Sequence, residues 1–349
     1  MSNRNDRGLF DEQFRLERLA GKADPLAKLD KVIPWEDFRP MIEQAFPVTN
    51  PVQGGRPPFD RLMMFKVMVL QSLYNISDAS AEFQILDRLT FMKFLGLRLS
   101  DRVPDEKTIW LFREQLKKQK LFDDLFDFFN SRLAEAGIIV EEGRIVDATI
   151  VEVPRQHNTR EQNRQVKDGH VPLEWKENKP KLRQKDMDAS WLKKNGETYY
   201  GYKDHVKVGE KSKLILEFQV TPAHVHDSEV LGELLDESDR GQCLHADSAY
   251  AGGKCESIVE GIGMINEVHE KGYRDHPLDE RQKSSNNKKS RVRARVEHVF
   301  GFMHVNMNKA IGLRYIGLDR NASAICMQNL VYNMCRVGFL LQWERCAWE

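Results

Sequence analysis

Three acidic residues lie in parts of the sequence where the presence of a carboxylate needs a physical explanation. Asp147 lies in the middle of an apolar, β-branched run over residues 143–153, which predicts a buried strand. Asp247 lies near the end of a second short run, residues 242–250, and Glu297 directly follows a strongly basic stretch. An ionised carboxylate is rarely buried without a compensating cation, because its desolvation is costly. Asp147 in particular needs a counter-charge.

Convergence of these acids would allow metal-dependent phosphoryl chemistry. Two divalent cations about 4 Å apart can activate a water or a 3′-hydroxyl and stabilise the leaving oxygen at phosphorus. Carboxylate oxygens suit Mg²⁺ or Mn²⁺. Two structural alternatives stay open at this point. Asp147 can bond backbone amides or a distant Arg, and Glu297 can form an i, i+4 ion pair with Arg293.

A local concentration of positive charge precedes Glu297. The whole chain has no net charge, yet residues 281–296 contain Lys and Arg and no acid. Such segregation is typical of a surface that holds a phosphodiester backbone. The residues predicted to contact phosphate are Lys288, Lys289, Arg291 and Arg293.

The pattern of strands and helices can bring the three acids together. A hairpin is predicted from residues 199–208 and 214–220, and a helix from about Glu229 leads into the strand that carries Asp247. Residues 261–268 predict a fifth strand. From Ser290 the apolar residues recur at helical spacing, which places Glu297 on a helix that packs against the sheet.

The histidines before the Glu229 helix do not have metal-site spacing. His224, His226 and Asp227 lack the separation of a zinc motif, so we interpret them as a turn and helix cap. His245 shares a strand face with Asp247, which allows a supporting role or simple packing.

A polar, basic insertion follows the first strand. Residues 154–203 contain 12 Lys or Arg against seven Asp or Glu, and the insertion near 154–198 is predicted to be a long loop. Trp175 and Trp191 lie among these lysines. They suit stacking and phosphate contacts on DNA, or packing against the domain, with neither alternative favoured. Lys203 and Tyr250 are open to the same pair of interpretations, DNA groove or packing.

The first part of the chain is helical. Stripes of apolar residues predict helices over about 59–73 and 79–95, and Asp105 can cap a third helix. The domains expected are a helical unit over 1–135 and a catalytic domain over 136–349. The helical unit is compatible with DNA-end reading or with packing and dimerisation.

Bulk properties restrict the class of protein further. The 349 residues are 41% hydrophobic and 30% charged, and the five cysteines show neither paired spacing nor zinc-site neighbours. No signal peptide precedes the first helix, and the longest apolar segment, 322–341, is interrupted by polar residues. These features predict a cytoplasmic, globular protein with no membrane contact.

Several short motifs follow one another along the chain in one order. They are Arg102-Val103-Pro104-Asp105-Glu106-Lys107-Thr108-Ile109, Val146-Asp147-Ala148-Thr149, Tyr200-Gly201-Tyr202-Lys203, Val225-His226-Asp227-Ser228, Ala246-Asp247-Ser248-Ala249-Tyr250, Arg295-Val296-Glu297-His298-Val299-Phe300-Gly301 and Gly312-Leu313-Arg314-Tyr315-Ile316-Gly317-Leu318. With this order of motifs the chain resembles the DDE transposases of bacterial insertion sequences. The resemblance runs from about Gly54 to Leu341 and is strongest to the IS-five group and its IS-four relatives.

The resemblance implies a fold, a site and a substrate. The fold would be α/β, an RNase H-like mixed-sheet core preceded by an all-α unit. Asp147, Asp247 and Glu297 would form the catalytic, metal-binding triad with two Mg²⁺ or Mn²⁺ ions. The substrate would be double-stranded DNA at the element ends and at the target, nicked and then joined by strand transfer. A homodimer would pair the two ends.

The resemblance also implies phosphate contacts, and two alternative functions stay open. Some relatives carry a Tyr, an Arg and a Lys around the Glu; here Arg293 matches, but Ser290 and His304 occupy the other two places. DNA contacts are expected from Arg293, Arg291, Lys288, Lys289 and Lys203. A metal-dependent nuclease without strand transfer, and an inactive DNA-binding regulator, are the alternatives.

Overall fold

The structure is a computed structural model that describes residues 11–20, 24–46, 57–140, 142–273, 276–308 and 312–346. The chain forms two compact units, one made of residues 1–121 and 337–349, the other of residues 122–336. Residues 1–10, where the sequence predicts no signal peptide, lie outside the described ranges.

The described part of the first unit is helical because short apolar stripes alternate with strong caps. Ser77 and Asp105 accept backbone hydrogen bonds from Ser80 and Thr108, and Gly96 ends a helix with left-handed backbone, as predicted. The predicted single helix over 79–95 is wrong, since the extended backbone of Arg88 divides it. The helices are α1 (Asp11–Ala20), α2 (Pro25–Val32), α3 (Trp35–Gln44), α4 (Arg61–Tyr74), α5 (Asp78–Asp87), α6 (Leu89–Leu95) and α7 (Glu106–Lys118).

The second unit is organised on a six-stranded mixed sheet with the order β2-β3-β1-β5-β6, in which β4 also pairs with β3. β1 pairs antiparallel with β3 and parallel with β5, so it lies at the centre. The predicted hairpin is confirmed as β3 and β4. The strands are β1 (Arg144–Glu152), β2 (Ser190–Lys194), β3 (Glu197–Gly209), β4 (Ile215–Pro222), β5 (Cys243–His245) and β6 (Ile265–Asn266).

Both faces of β1 are covered, which explains why its sequence is apolar throughout. On one face, Val146 packs with residues of the helices Asp227–Leu234 and Gly253–Ile262. On the opposite face, Val151 and Val153 pack with Leu313 and Ile325. The helices of this unit are α8 (Leu121–Glu135), α9 (Arg160–Lys167), α10 (Leu173–Glu177), α11 (Lys179–Leu182), α12 (Asp227–Leu234), α13 (Gly253–Ile262), α14 (Glu280–Arg293), α15 (Arg295–Asn306) and α16 (Leu318–Cys346). The last of these continues into the first unit.

Several predicted boundaries differ from the structure. The insertion predicted as a loop contains α9, α10, α11 and β2, with Trp175 fully buried and Trp191 exposed. The basic helix begins at Glu280 and is interrupted at Ala294, which separates α14 from α15. The strand predicted over residues 261–268 is β6, which is only two residues long, because Gly261 and Ile262 belong to α13.

Helix α8 belongs with the sheet rather than with the preceding helices. Phe126 makes an edge contact with Phe218 of β4, and Asn130 donates to the carbonyl oxygen of Ile215 at 3.1 Å. The second unit therefore begins at residue 122, ahead of the predicted domain boundary at 135.

None of the helices in the described ranges combines the length and apolarity needed to cross a bilayer.

Candidate active site

Asp147 occupies the centre of the sheet. Its Oδ1 atom accepts a hydrogen bond of 2.8 Å from the Ala148 N–H, and its Oδ2 atom accepts one of 2.6 Å from Nη1 of Arg293. The side chain is only 14% exposed. The counter-charge that the sequence demanded is therefore Arg293, at the end of α14.

Asp247 is brought beside Asp147 by the parallel pairing of β1 and β5. Ile145 is the register partner of His245, so the two aspartates both lie two residues beyond a paired position. Asp247 caps the short 3₁₀ turn Ser248–Tyr250, accepting from the Ala249 N–H at 2.8 Å. The two strands are neighbours, as predicted, but β5 ends at His245, so Asp247 lies just after its strand rather than on it.

Glu297 lies on the first turn of α15 and faces solvent. Its side chain is 61% exposed, and its Oε1 atom is 3.8 Å from Nη2 of Arg293. The guanidinium of Arg293 therefore bridges Asp147 and Glu297. The i, i+4 ion pair considered from the sequence exists, and it connects Glu297 to Asp147 instead of competing with that role.

The pKa of Asp147 reflects the nearby charges of the other two acids. Burial raises the pKa of Asp147 to about 6, although the Ala148 N–H and the Arg293 guanidinium favour its charged form. The negative charges of Asp247 and Glu297 raise this pKa further. Perturbation of this kind, with like charges gathered on one buried carboxylate, is typical of functional sites.

The donor set fits a divalent cation in its chemistry. Asp147 and Asp247 offer hard oxygen ligands side by side, and a buried carboxylate whose pKa is raised by neighbouring acids is stabilised by added positive charge. Across the described residues, no three His, Cys, Asp or Glu side chains stand together as a ready-made metal site. Arg293 occupies one oxygen of Asp147, and a third ligand from Glu297 would require its exposed side chain to turn inward.

The predicted phosphate-binding residues of α14 separate into two groups. Lys288 and Arg291 are exposed. Lys289 is directed inward, where its Nζ atom donates to the Val268 carbonyl oxygen at 3.0 Å and lies 3.7 Å from Glu267. Of the four, Lys288 and Arg291 are therefore placed to meet a ligand from solvent, while Arg293 faces the acids.

Lys203 is not at a DNA surface. It is buried on β3, and its Nζ atom donates at 2.7 Å to both the Val225 carbonyl oxygen and the Asp227 carboxylate. We therefore correct its predicted DNA contact to an internal ion pair. Lys203, His205 and Lys207 alternate along one face of β3, and all three are buried.

Two further residues near the acids have structural placements. Tyr250 is buried in the apolar cluster around Val146, and burial and then the charges of Asp227, Asp147 and Asp247 raise its pKa. The packing alternative therefore holds for Tyr250. His226 caps α12 by accepting from the Ser228 N–H, as the interpretation of a turn and cap predicts.

The raised pKa of Asp147 predicts a dependence of stability on pH without divalent cations. Its folded pKa of about 6 exceeds the unfolded value of about 3.9, so ionised Asp147 opposes folding above pH 6. This penalty of roughly 3 kcal/mol at pH 7 disappears as the pH falls from 6 to 4. The stability gained by Asp147→Asn should therefore be larger at pH 7 than at pH 4, as measured by denaturant unfolding. A gain that does not change with pH would show that Asp147 titrates normally.

Two family models match the chain. The family described as Transposase DDE domain matches residues 139–334, more than half of the protein, and this range includes all three acids. The family described as Transposase domain (DUF772) matches residues 14–115, within the helical first unit. No solved structure matches the chain. With the mixed sheet and its flanking helices, these matches confirm the predicted fold class, an RNase H-like α/β core preceded by an all-α unit.

Proposed function

The chain belongs to the Transposase DDE domain family, and from this premise we propose that it cleaves DNA at the ends of a bacterial insertion sequence and joins those ends to target DNA. Membership in the family makes it a nucleic-acid-cleaving enzyme that acts on DNA and uses divalent metal ions. Assignment to the IS-five group, strand transfer and action on nucleoid DNA belong to our proposal.

One observation carries the assignment of the site. The parallel register of β1 and β5 sets Asp147 beside Asp247, and Arg293 connects Asp147 to Glu297. We propose these three acids as the catalytic, metal-binding triad. Two Mg²⁺ or Mn²⁺ ions, when bound, would activate the attacking oxygen and stabilise the leaving oxygen at phosphorus.

The remaining work falls to the protein's own side chains. The N–H groups of Ala148 and Ala249 each donate to one oxygen of Asp147 and Asp247, so these carboxylates are already oriented. In our proposal Arg293 moves from Asp147 to the phosphodiester once other positive charge reaches the carboxylates. Lys288 and Arg291 contact the DNA backbone nearby. This chemistry requires no covalent intermediate on the protein.

The proposal predicts joined products. The purified chain is incubated with DNA that carries the element's terminal sequences, a target plasmid and Mg²⁺ or Mn²⁺, and the products are separated on denaturing gels. We expect metal-dependent nicks at the element ends followed by joined molecules. Cleavage without joining would favour the nuclease, and DNA binding without any product would favour the inactive regulator.

Pairing of two ends predicts a dimer. We propose that two copies of the chain act together on DNA, because the two element ends must be joined to one target. Mass photometry of complexes formed with end-bearing DNA should show two chains on two duplexes. A complex of one chain with one duplex throughout the reaction would contradict this part of the proposal.

A further inference from the structure

A cavity of about 290 Å³ lies at the end of β1, away from the carboxylates. Its wall is formed by the residues that follow β1, by α11 with the turn after it, and by the segment 314–316. We call it the strand-end cavity. Its charged lining residues are Arg155, Lys181, Lys185, Asp186 and Arg314.

The acid that lines the strand-end cavity accepts hydrogen bonds at both of its oxygens. Oδ1 of Asp186 accepts from the Asp188 and Ala189 N–H groups at 3.0 and 2.9 Å and from the Tyr202 hydroxyl at 2.7 Å. Its Oδ2 atom accepts from the Gly317 N–H at 3.0 Å. These neutral donors stabilise the carboxylate without removing its charge, and Glu152 lies 3.6 Å from Arg155. With both acids counted, the four cations still outnumber them, so the cavity favours an anion.

Two of the cations that line the cavity are positioned by contacts with neighbouring groups. Lys185 donates to Asn158 and lies over the Trp175 ring at 4.9 Å, and burial and then the charge of Lys181 lower its pKa. Arg155 donates to the Thr198 carbonyl oxygen at 3.1 Å. Positive groups that crowd one another in this way are stabilised by an anion placed between them.

The segment that carries Arg314 is attached directly to β1. The Leu313 N–H donates to the Glu152 carbonyl oxygen at 2.8 Å. Gly312 adopts φ +77°, and a Cβ there would come within 2.6 Å of the same oxygen. This close approach fixes the cavity relative to the strand that carries Asp147.

The strand-end cavity and the acids are separated by a length of β1 that can be estimated. Val153, which lines the cavity, is six residues beyond Asp147 and on the same face of the strand, so the two positions are about 20 Å apart. Each strand of B-DNA places a phosphate every ~3.4 Å along its axis. Because B-DNA turns once in about 10 base pairs, a phosphate about 20 Å along the axis and on the same side of the duplex lies on the opposite strand, about six base pairs away.

We propose that the strand-end cavity binds a phosphodiester of the DNA substrate about six base pairs from the phosphate that is cleaved. The inference rests on the proposed function. It adds a second backbone contact, made by the insertion after β1, which holds the duplex at a second point while the acids act on one phosphate.

Neutral phosphate analogues test this directly on the unmodified protein. A series of element-end duplexes carries one methylphosphonate each, at positions one to twelve base pairs from the cleavage site, and binding is measured by fluorescence anisotropy. We expect affinity to fall about tenfold for substitutions five to seven base pairs away on the strand opposite the cleaved one. Positions on either side of this window, apart from those at the cleavage site, should show smaller losses.

Substitution of exposed cations gives an independent readout. Arg155 is 60% exposed and Lys181 is exposed, so their replacement leaves the packed core unchanged. The double variant Arg155→Ala/Lys181→Ala removes the contact with one phosphate, so it should lower the slope of log affinity against log salt concentration by about one and abolish the interference at five to seven base pairs. Lys254→Ala, an exposed lysine on α13 of the same unit, is the matched control and should leave both unchanged.

The outcomes separate the inference from the proposed function. Normal cleavage with no interference five to seven base pairs away, or an unchanged salt slope in the double variant, would overturn the strand-end contact alone. Absence of any metal-dependent cleavage by the unmodified chain would overturn the proposed function and the inference with it.

Discussion

Replacement of Asp147 by Asn is expected to lower the rate of DNA cleavage at least about a thousandfold, because a metal ion held at the reacting phosphate contributes several kcal/mol to the transition state. Asn keeps the shape of Asp147 but removes the charge that Asp247 and Glu297 oppose. The variant should therefore fold normally. Cleavage is measured on end-bearing duplexes in Mg²⁺ and in Mn²⁺, with circular dichroism and DNA binding as checks of structure.

A control substitution at another carboxylate tests whether the loss of cleavage is specific to the site. Glu260→Gln removes one exposed carboxylate from α13 of the same unit and should leave cleavage unchanged. Asp247→Asn and Glu297→Gln should resemble Asp147→Asn. If one of these three variants cleaves DNA at the rate of the unmodified chain, its acid does not belong to the triad.

Asp239→Asn is expected to destabilise the second unit by about 3–5 kcal/mol. Asp239 is fully buried, where it accepts at 2.7 Å from Nε of Arg144 and at 2.8 Å from Nζ of Lys207. Both cations are themselves buried. Asn would leave two buried positive charges without this counter-ion, and the measurement is the free energy of unfolding in urea at pH 7.

The neighbouring Asp236 provides the control for this experiment. It also binds Nζ of Lys207 at 2.8 Å, but its side chain is 56% exposed, against 1% for Asp239. Water screens such a pair, so Asp236→Asn should cost less than about 1 kcal/mol. Equal losses in the two variants would show that the buried charge of Asp239 is not what anchors the start of β1.

The buried charges of β3 explain why Lys203 was misassigned from the sequence. A lysine in a polar, basic region ordinarily lies at the surface. Lys203 and Lys207 are instead drawn inward by Asp227 and by Asp239, each more than 20 residues further along the chain. Such pairs form only when α12 and the turn after it pack on the sheet, which no local pattern specifies.

The amino-acid sequence by itself determined the local elements. A continuous apolar, β-branched run predicts β1, and alternation predicts the β3–β4 hairpin. The side chains of Ser77 and Asp105 predict helix starts, because these features depend on neighbours within a few residues. Spacing also predicts that Asp147 and Asp247 lie on adjacent strands. The family resemblance adds Glu297 to this pair as an expectation.

Only the tertiary structure decided which charges meet. Arg293 reaches Asp147 across 146 residues of sequence, and it does so because α14 ends over the centre of the sheet. The strand-end cavity depends in the same way on Gly312 lying against Glu152. The free energy of a buried charge depends on the partners that packing brings within hydrogen-bond distance, so the sequence can nominate the acids but cannot pair them.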